Sequence, residues 1–201
     1  MSDIGFCFFD TAIGRCSVVW NVHGVLRTRL PEGNEQRARE RIHDRYPKAD
    51  ETAPPAEIQH AIDAMVALLA GEPKDLRGIR LDTAGVPDFN RRVYDIARTI
   101  PAGATLTYGE IAERLGDRTL ARDVGVALGQ NPFPIIVPCH RVLAAGGRTG
   151  GFSAPGGVST KMRMLTIERA QAGSPAPAGQ LNLFEGLPLA AQNRSPRRSR
   201  L

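Results

Sequence analysis

Apolar and polar residues alternate along residues 4–30, where β-branched and aromatic side chains recur in the stretches IGFCFFD, RCSVVW and VLRTRL. Alternation with a period of two places one face of a strand on a core and the other face in solvent. Gly14, Asn21 and Gly24 interrupt these stretches at positions typical of hairpin turns. The pattern predicts two or three antiparallel strands near the start of the chain.

Helical spacing replaces this alternation further along. Residues 33–46 (GNEQRARERIHDRY) are highly charged and predict an exposed helix. Residues 57–69 predict a second helix, because their apolar side chains recur every three or four residues and form one face: Ile58, Ile62, Met65, Val66 and Leu69. The stretch LRGIRL at 76–81 predicts a returning strand. Residues 1–85 are therefore predicted to form an α/β domain, a small antiparallel sheet with helices.

Residues 86–171 are predicted to form a second, mostly α domain. Pro87 begins a helix through FNRRVYDIARTI, and Thr107 with Glu110 has the spacing of a capping box for the next helix. A third helix is predicted over 119–129. Two helices joined by a tight turn that contains glycine form a helix-turn-helix, a shape that many DNA-binding proteins use.

Prolines dominate the segment that follows, NPFPIIVPCHRV. Its three prolines, at 132, 134 and 138, exclude a helix. An extended path that delivers Cys139 is predicted instead. A glycine-rich loop (AAGGRTGGFSAPGG, residues 144–157) and a last helix over 159–170 complete the domain.

The 201 residues allow one or two domains. The net charge of +5 permits an acidic partner such as nucleic acid. The balance alone carries little weight, because arginines near the chain end supply much of the excess: Arg194, Arg197, Arg198 and Arg200. No apolar run approaches the roughly 20 residues of a membrane-spanning helix, and the N-terminus lacks the pattern of a signal peptide. A cytoplasmic protein without a membrane partner is predicted.

The three cysteines are widely spaced and lack a CxxC pair, which argues against a disulfide framework and a four-cysteine zinc site. Cys7, Cys16 and His23 lie close enough in the sequence to be considered as metal ligands. The favoured interpretation treats both cysteines as small apolar residues of the sheet, since free cysteine is among the most buried residue types. No metal and no cofactor are predicted.

The third cysteine, Cys139, stands between Pro138 and His140. A thiol reacts as its thiolate and is mostly protonated at neutral pH, so a nucleophilic cysteine needs a base. Consecutive side chains of an extended segment point to opposite faces, so a bridging water or a tight turn is needed to connect His140 to the thiol. Glu168, near Leu165 on the last helix, is the candidate carboxylate that orients the imidazole. These residues alone leave a nucleophilic and a structural cysteine equally open.

Longer motifs surround Cys139. PCHRV is preceded by NPFPIIV and followed by a glycine-rich loop and a helix that ends in glutamate, and IPAGATLTYGEIAERLG and ARDVGVALGQNP stand upstream. Over about residues 86–170 the chain resembles the O6-alkylguanine-DNA alkyltransferases, also called methylated-DNA–protein-cysteine methyltransferases. The resemblance implies a monomer that binds duplex DNA through the minor groove and flips out an O6-alkylguanine. The alkyl group then moves irreversibly to Cys139, so each molecule acts once.

The resemblance also implies roles for the residues around the thiol. Cys139 attacks the alkyl carbon, His140 accepts the thiol proton through a water, and Glu168 holds His140. Tyr108, in LTYGE, donates a hydrogen bond or a proton to the departing guanine. Asn131 pins the turn beneath the site.

Further roles are implied on the DNA side. Arg122 matches the arginine finger of the family, and the small residues Ala121 and Gly125 allow the helix to approach the groove closely. The carbonyl of Val142 reads the guanine amine, and the backbone amide of Ser153 meets O6. Three departures from the family pattern bear on DNA affinity and pocket shape: Asp123 in place of alanine, Phe152 in place of tyrosine, and the longer loop SAPGG.

Residues 172–201 begin with a Pro/Ala/Gly linker and are predicted to form a flexible tail. QLNLF within the tail resembles the bacterial sliding-clamp-binding motif, with these anchors: Gln180, Leu181, Leu183 and Phe184. Apolar side chains in a polar tail indicate a partner that buries them. The other interpretation is that they fold back onto the protein's own surface.

Three other functions fit parts of the pattern. A protein of the alkyltransferase-like type binds lesions without repairing them, but such proteins carry another residue in place of the cysteine. A helix-turn-helix regulator needs a sensor domain, and a thiol hydrolase needs an oxyanion hole; the sequence shows no motif for either. The pattern therefore favours a DNA repair alkyltransferase.

Overall fold

The computed structural model describes residues 3–170. The N-terminal part begins with an antiparallel meander that consists of β1 (Gly5–Thr11), β2 (Gly14–Asn21) and β3 (Gly24–Arg29). A short strand, β4 (Asp50–Glu51), pairs in parallel with β1, so the strand order within the described residues is β3-β2-β1-β4. The predicted antiparallel strands are confirmed.

Helices cover both faces of this sheet. α1 (Glu35–Arg45) packs Ile42 against Phe6 on one face. α2 (Ala56–Leu69) packs on the other face, where its predicted apolar side chains are buried apart from the half-buried Val66. Both predicted helices are therefore confirmed, and the sheet lies between them.

The C-terminal part is mostly helical, as predicted. Its elements in chain order are α3 (Asp88–Arg98), β5 (Leu106–Thr107), α4 (Tyr108–Arg114), α5 (Ala121–Gly129), β6 (Val142–Leu143) and α6 (Gly157–Ile167). β5 and β6 pair in parallel. A 3-10 turn at Arg118–Leu120 joins α4 to α5, and these two helices pack on each other and on α3. This arrangement confirms the predicted helix-turn-helix.

Two local predictions are wrong. Residues 76–81 form no strand in the described structure, where a single bridge joins Leu81 to Val25 of β3. The proline-rich segment 131–138 is not extended but follows a series of turns, in which Ile135 has a φ of 79°. Prolines lack the N–H donors of a ladder, so they oppose a strand as well as a helix.

One apolar core joins the two parts of the chain. Buried side chains from both parts belong to a single cluster, among them Trp20, Met65, Val93, Phe133 and Met164. The guanidinium of Arg163 on α6 also donates to the backbone carbonyl of Ala12, between β1 and β2. The division into two domains near residue 85 stays a prediction.

The described helices are short. α2 has 14 residues, whereas a helix that crosses a bilayer needs about 20. Among residues 3–170, no helix combines the length and the apolar character that a membrane span requires.

The capping box of α4 leads to a stability prediction. The Glu110 N–H donates to the Thr107 hydroxyl at 3.1 Å, and the Thr107 N–H donates to the Glu110 carboxylate at 2.6 Å. We expect Thr107→Ala to lower the free energy of unfolding by about 1 kcal/mol, because an N–H at the helix start loses its partner. Urea unfolding followed by circular dichroism measures the change. Thr99→Ala, which removes an exposed hydroxyl from the end of α3, should change the free energy by less than about 0.5 kcal/mol; equal losses would contradict the capping role.

Candidate active site

A cavity of about 740 Å³ opens between the end of β3, α5 and the glycine-rich loop. The side chain of Cys139 lines it together with other residues that the sequence indicated: Tyr108, Ala121, Arg122, Gly125, Asn131, Phe152 and Ser153. The opposite wall comes from the N-terminal part, through residues 27–30 and Glu32. The sequence pattern did not indicate this wall. A cavity of this size is ample for a small-molecule ligand or a single base.

A short 3-10 helix (Cys139–Arg141) carries the thiol and the imidazole. The Arg141 N–H closes this turn by donating to the Pro138 carbonyl at 2.9 Å. With three residues per turn, successive side chains lie about 120° apart. Cys139 and His140 are therefore not on opposite faces, as they would be in an extended strand. A tight turn is one of the two solutions that the sequence left open.

Glu168 ends α6 directly beneath this turn. Its Oε1 accepts from His140 Nε2 at 2.9 Å, and its two oxygens accept from the Arg141 guanidinium at 2.8 Å each. The three side chains are almost completely removed from solvent. The structure thus brings His140 and Glu168 together, and it adds Arg141, which the sequence pattern did not indicate as a site residue.

Burial and this ion pair set the protonation states. Burial lowers the pKa of His140, although Glu168 raises it in part, so the imidazole is neutral near pH 7. Burial raises the pKa of Glu168, but the hydrogen bonds and charges of His140 and Arg141 outweigh burial and hold that pKa at about 2. The carboxylate therefore keeps the ring proton on Nε2 and leaves Nδ1 as an acceptor. Nδ1 is buried and has no hydrogen-bond partner among residues 3–170.

The thiol also has neighbours that favour its thiolate. Burial raises the pKa of Cys139, while a hydrogen bond to Asn131 and the positive charge of Lys161 lower it in part. Asn131 is held in place because its Nδ2 donates to the Val137 carbonyl and its Oδ1 accepts from the Phe133 N–H, both at 2.9 Å. The thiol remains mostly protonated near pH 7, so it needs a base before it can attack.

Lys161 is a site residue that the sequence pattern did not reveal. Its side chain is fully buried, and its ammonium donates to the carbonyls of Val142 at 2.6 Å and Thr149 at 2.5 Å. Burial lowers the pKa of Lys161 to about 8, and the nearby Cys139 opposes that shift. Lysine is rarely buried, so the residue type does not indicate a buried site residue. The spacing does, because Lys161 lies one helical turn before the buried Met164 and Leu165 and shares their face of α6.

Tyr108 begins α4 and faces the cavity between two glycines. A Cβ at Gly150 would lie 3.2 Å from its hydroxyl, and a Cβ at Gly125 would lie 3.9 Å from its ring. Gly150, with a φ of 65°, also adopts a backbone conformation that favours glycine. Burial raises the pKa of Tyr108, and the neighbouring Cys139 raises it further, so the phenol keeps its proton.

The first turns of α5 present Arg122 to the cavity with Ala121 and Gly125 beside it. Arg122 is exposed and forms no ion pair with any residue from 3 to 170. Asp123 faces a different, smaller groove between α3 and α5 and pairs with neither Arg122 nor Arg118. A carboxylate in the first turn of a helix is favoured by the helix dipole, which accounts for an aspartate at this position.

Val142 and Ser153 occupy different surroundings. Val142 lies buried in β6, outside the cavity wall, with its carbonyl bonded to Lys161. Ser153 lines the cavity, and its hydroxyl donates to the Gly129 carbonyl at 3.1 Å. That hydrogen bond connects the glycine-rich loop to the end of α5.

The other two thiols lie in the sheet. Cys16 is buried on β2 and Cys7 is half-buried on β1, and burial raises the pKa of each to about 11. His23 is exposed in the turn between β2 and β3. Within the described part of the chain, no group of three or more His, Cys, Asp and Glu side chains is arranged to hold a metal ion. The surroundings of Cys16 are those of the small apolar residue that the sequence favoured.

Fold and cavity define a helix-turn-helix protein with a thiol inside its binding cavity. Residues 88–170 match the family described as 6-O-methylguanine DNA methyltransferase, DNA binding domain. A methylated-DNA–protein-cysteine methyltransferase of Methanothermobacter thermautotrophicus is 36% identical over 151 residues, which cover 75% of this chain and 77% of that protein. The protein of the same name from Mycobacterium tuberculosis H37Rv is 42% identical over 134 residues, which cover 67% of this chain and 76% of that protein.

Comparison with a solved structure indicates the same family. The crystal structure of Mycobacterium tuberculosis OGT in complex with DNA aligns with a TM-score of 0.65 at 33% identity, covering 82% of this chain and 92% of that one. The chain belongs to the family of methylated-DNA–protein-cysteine methyltransferases. Its activity is the direct reversal of DNA alkylation, in which an alkyl group moves to a cysteine of the protein.

The buried carboxylate leads to a prediction about acid stability. The pKa of Glu168 is about 2 in the folded protein, against an ordinary value of 4.5, so unfolding takes up a proton between these values. We expect the free energy of unfolding to fall as the pH is lowered from about 5 to about 2, because a carboxylate with a depressed pKa stabilises the fold only while ionised. Urea unfolding at a series of pH values measures this slope, which Glu168→Gln should reduce.

Glu113→Gln is the matched control for this prediction. Glu113 is an exposed carboxylate on α4 that lies 4.0 Å from Arg118, and exposed pairs contribute little to stability. Its variant should keep the slope of the unmodified protein. If the free energy of unfolding of Glu168→Gln also depends on pH as in the unmodified protein, the buried ion pair is not the source of the acid sensitivity.

Proposed function

We propose that this protein removes alkyl groups from O6 of guanine in duplex DNA and that Cys139 is the acceptor. The resulting thioether is permanent, so each molecule acts once. One observation carries the proposal: Cys139 lines the same cavity as Tyr108 and Arg122 of the helix-turn-helix, on a turn that buries an imidazole–carboxylate pair. The complex of the Mycobacterium tuberculosis relative with DNA supports DNA as the partner.

Base flipping brings the lesion to the thiol. Inside the duplex, the alkyl carbon of an O6-alkylguanine is not open to in-line attack, whereas a flipped base places it in a pocket. The cavity beside α5 has the volume for such a base. With α5 in the minor groove, Arg122 fills the space that the base has left by stacking and hydrogen bonding. Because Ala121 and Gly125 have small side chains, α5 can approach the minor groove closely.

The buried pair supplies the base that the thiol needs. His140 Nδ1, the acceptor that the Glu168 hydrogen bond leaves free, takes the thiol proton through a bridging water. Glu168 then stabilises the imidazolium that forms. The sulfur of Cys139 attacks the alkyl carbon, the carbon–sulfur bond forms, and the carbon–O6 bond breaks. Guanine leaves with the bonding electrons and receives a hydrogen bond or a proton from Tyr108.

Backbone groups complete the proposed recognition of guanine. The Ser153 amide meets O6, and the Val142 carbonyl accepts from the guanine amine. The hydrogen bond from Lys161 does not by itself prevent this contact, because a carbonyl oxygen has two lone pairs. Asn131 keeps the turn beneath the thiol in place during the reaction.

We expect the protein to act as a monomer in the cytoplasm. Reducing conditions there keep thiols free, and a single-use acceptor must stay free until it meets a lesion. The proposed activity requires no metal or cofactor, because the attacking thiol, the base and the proton donor are all side chains of the chain.

Intact-mass spectrometry tests the acceptor directly. After the protein is mixed with duplex DNA that contains one O6-methylguanine, we expect a single adduct of about 14 Da, the mass of a methyl group in place of the thiol hydrogen. Cys139→Ala should form no adduct. Cys7→Ala, which removes a half-buried thiol of the sheet, is the control and should form the adduct like the unmodified protein.

Each other outcome of this experiment has a definite meaning. An adduct that persists in Cys139→Ala and disappears in Cys7→Ala would place the acceptor in the sheet. No adduct in any variant, with the DNA still bound, would identify a protein that recognises lesions without repairing them. In that case Asp123 and the SAPGG loop, which depart from the family pattern, become the residues to exchange.

We propose further that QLNLF, residues 180–184, binds a bacterial sliding clamp. This segment lies outside the described residues, and its support is the motif itself: Gln180, Leu181, Leu183 and Phe184. A short peptide of this kind places apolar anchors in a groove and uses the glutamine for hydrogen bonds. Contact with the clamp would raise the local concentration of the repair protein on DNA.

Surface plasmon resonance with immobilised clamp tests this contact. We expect a double variant, Leu183→Ala with Phe184→Ala, to bind more than about tenfold more weakly, because two buried anchors are lost. Truncation after Gly179 should abolish binding. Leu187→Ala, just beyond the motif, is the control and should bind normally. Full binding by the truncated chain would exclude the tail as the clamp-binding segment.

A further inference from the structure

We propose that Thr28, on the edge strand of the N-terminal sheet, is a positioning residue for the alkyl transfer. It holds the proline-rich segment 131–138, which leads directly into Cys139. The inference rests on the proposed function of Cys139 and adds a residue about 110 positions away in the chain, in the part that lies outside the family match at residues 88–170.

Two hydrogen bonds join Thr28 to the proline-rich segment. Its N–H donates to the Pro132 carbonyl at 3.0 Å, and its hydroxyl donates to the Pro134 carbonyl at 2.6 Å. Thr28 is only 2% exposed, so water cannot easily replace either bond. Within the sheet β3 pairs only with β2. The other edge of β3 bonds residues 80–82 at Val25 and the proline-rich segment at Thr28.

Threonine is well suited to this contact because of what proline lacks. Pro132 and Pro134 have no N–H, so neither residue can donate to a neighbouring strand. Their carbonyls can still accept hydrogen bonds. The donors on Thr28 are almost completely removed from solvent, where an unpaired polar group is costly. The backbone of Thr28 provides one donor and its side chain provides the second. A residue without a hydroxyl would leave the Pro134 carbonyl without this partner.

The residue after Pro134 shows why the second bond matters. Ile135 has a φ of 79°, in the left-handed region that β-branched side chains avoid, and it is almost completely buried. Such a conformation persists only when its surroundings impose it. Hydrogen bonds bracket it on both sides: Thr28 holds the Pro134 carbonyl before it, and Asn131 holds the Val137 carbonyl after it.

This segment sets the position of the thiol. Cys139 follows Ile135 by four residues, and its N–H donates to the Val137 carbonyl at 2.8 Å. Thr28, Pro134 and Cys139 all line the cavity that receives the base. Displacement of a reacting group by about 1 Å can slow a reaction about 100-fold. Loss of the hydrogen bond from the Thr28 hydroxyl to the Pro134 carbonyl should therefore reduce alkyl transfer more than it reduces DNA binding.

Single-turnover kinetics test the proposal with two substitutions that separate the hydroxyl from the side-chain shape. Thr28→Val keeps the branched side chain and loses the hydroxyl, whereas Thr28→Ser keeps the hydroxyl. At saturating duplex DNA with one O6-methylguanine, we expect Thr28→Val to transfer the methyl group about tenfold or more slowly, and Thr28→Ser to stay within about twofold of the unmodified protein. In a Cys139→Ala background, which prevents reaction, Thr28→Val should bind the same DNA with unchanged affinity.

Two further measurements separate positioning from a general loss of stability. Val19→Ala removes a buried side chain from the opposite face of the sheet, so it lowers stability without touching the proline-rich segment. It should transfer at the normal rate at a temperature where it is folded. Hydrogen exchange should accelerate at the amides of Phe133 and Val137 in Thr28→Val but not selectively in Val19→Ala. Thr28→Ala repeats the test if the valine variant does not fold.

The outcomes are distinguishable from a failure of the proposed function. If the unmodified protein forms no adduct at Cys139, the proposed function is wrong. If it does, and Thr28→Val reacts at the same rate, the positioning role is wrong. A serine variant as slow as the valine variant, or a Val19→Ala variant as slow as either, would also overturn the role of the hydroxyl.

Discussion

A carboxylate closed to solvent holds the active site together. Glu168 ends the last described helix, and both of its oxygens bond to side chains of the turn that carries the thiol. Burying opposite charges is favourable only when the geometry is good and the remaining polar atoms are paired. Arg141 meets this condition, since its guanidinium also donates to the Ile100 carbonyl at 2.5 Å. The same carboxylate sets the tautomer of His140, so one contact serves both the fold and the chemistry.

Two side chains from different helices lie near the thiol and differ in charge. Lys161 brings a buried positive charge from α6, and Tyr108 brings a neutral phenol from α4. Burial alone would make Cys139 a poor nucleophile, because it raises the pKa of the thiol. The site therefore combines a thiol at the wall of the cavity with a neutral imidazole on the next residue.

Local patterns in the sequence account for much of the fold. The alternation in GFCFFDT and GRCSVVWN gives the sheet, and the Thr107–Glu110 spacing gives the start of α4, because both depend on neighbours within a few residues. The proline-rich segment could not be predicted in this way. Its turns require partners on β3, and no short-range pattern reports a contact between residues 106 positions apart.

The sequence by itself determined which chemistry is available: a cysteine beside a histidine, a glutamate at the end of the last helix, and the motifs of the alkyltransferase family. It determined these because side-chain identity and short-range spacing are properties of the chain alone. Only the tertiary structure decided that Lys161 and Arg141 belong to the site and that strand β3 forms one wall of the cavity. The physical reason is burial, since a lysine or an arginine is removed from water only where distant segments close around it and supply its hydrogen-bond acceptors.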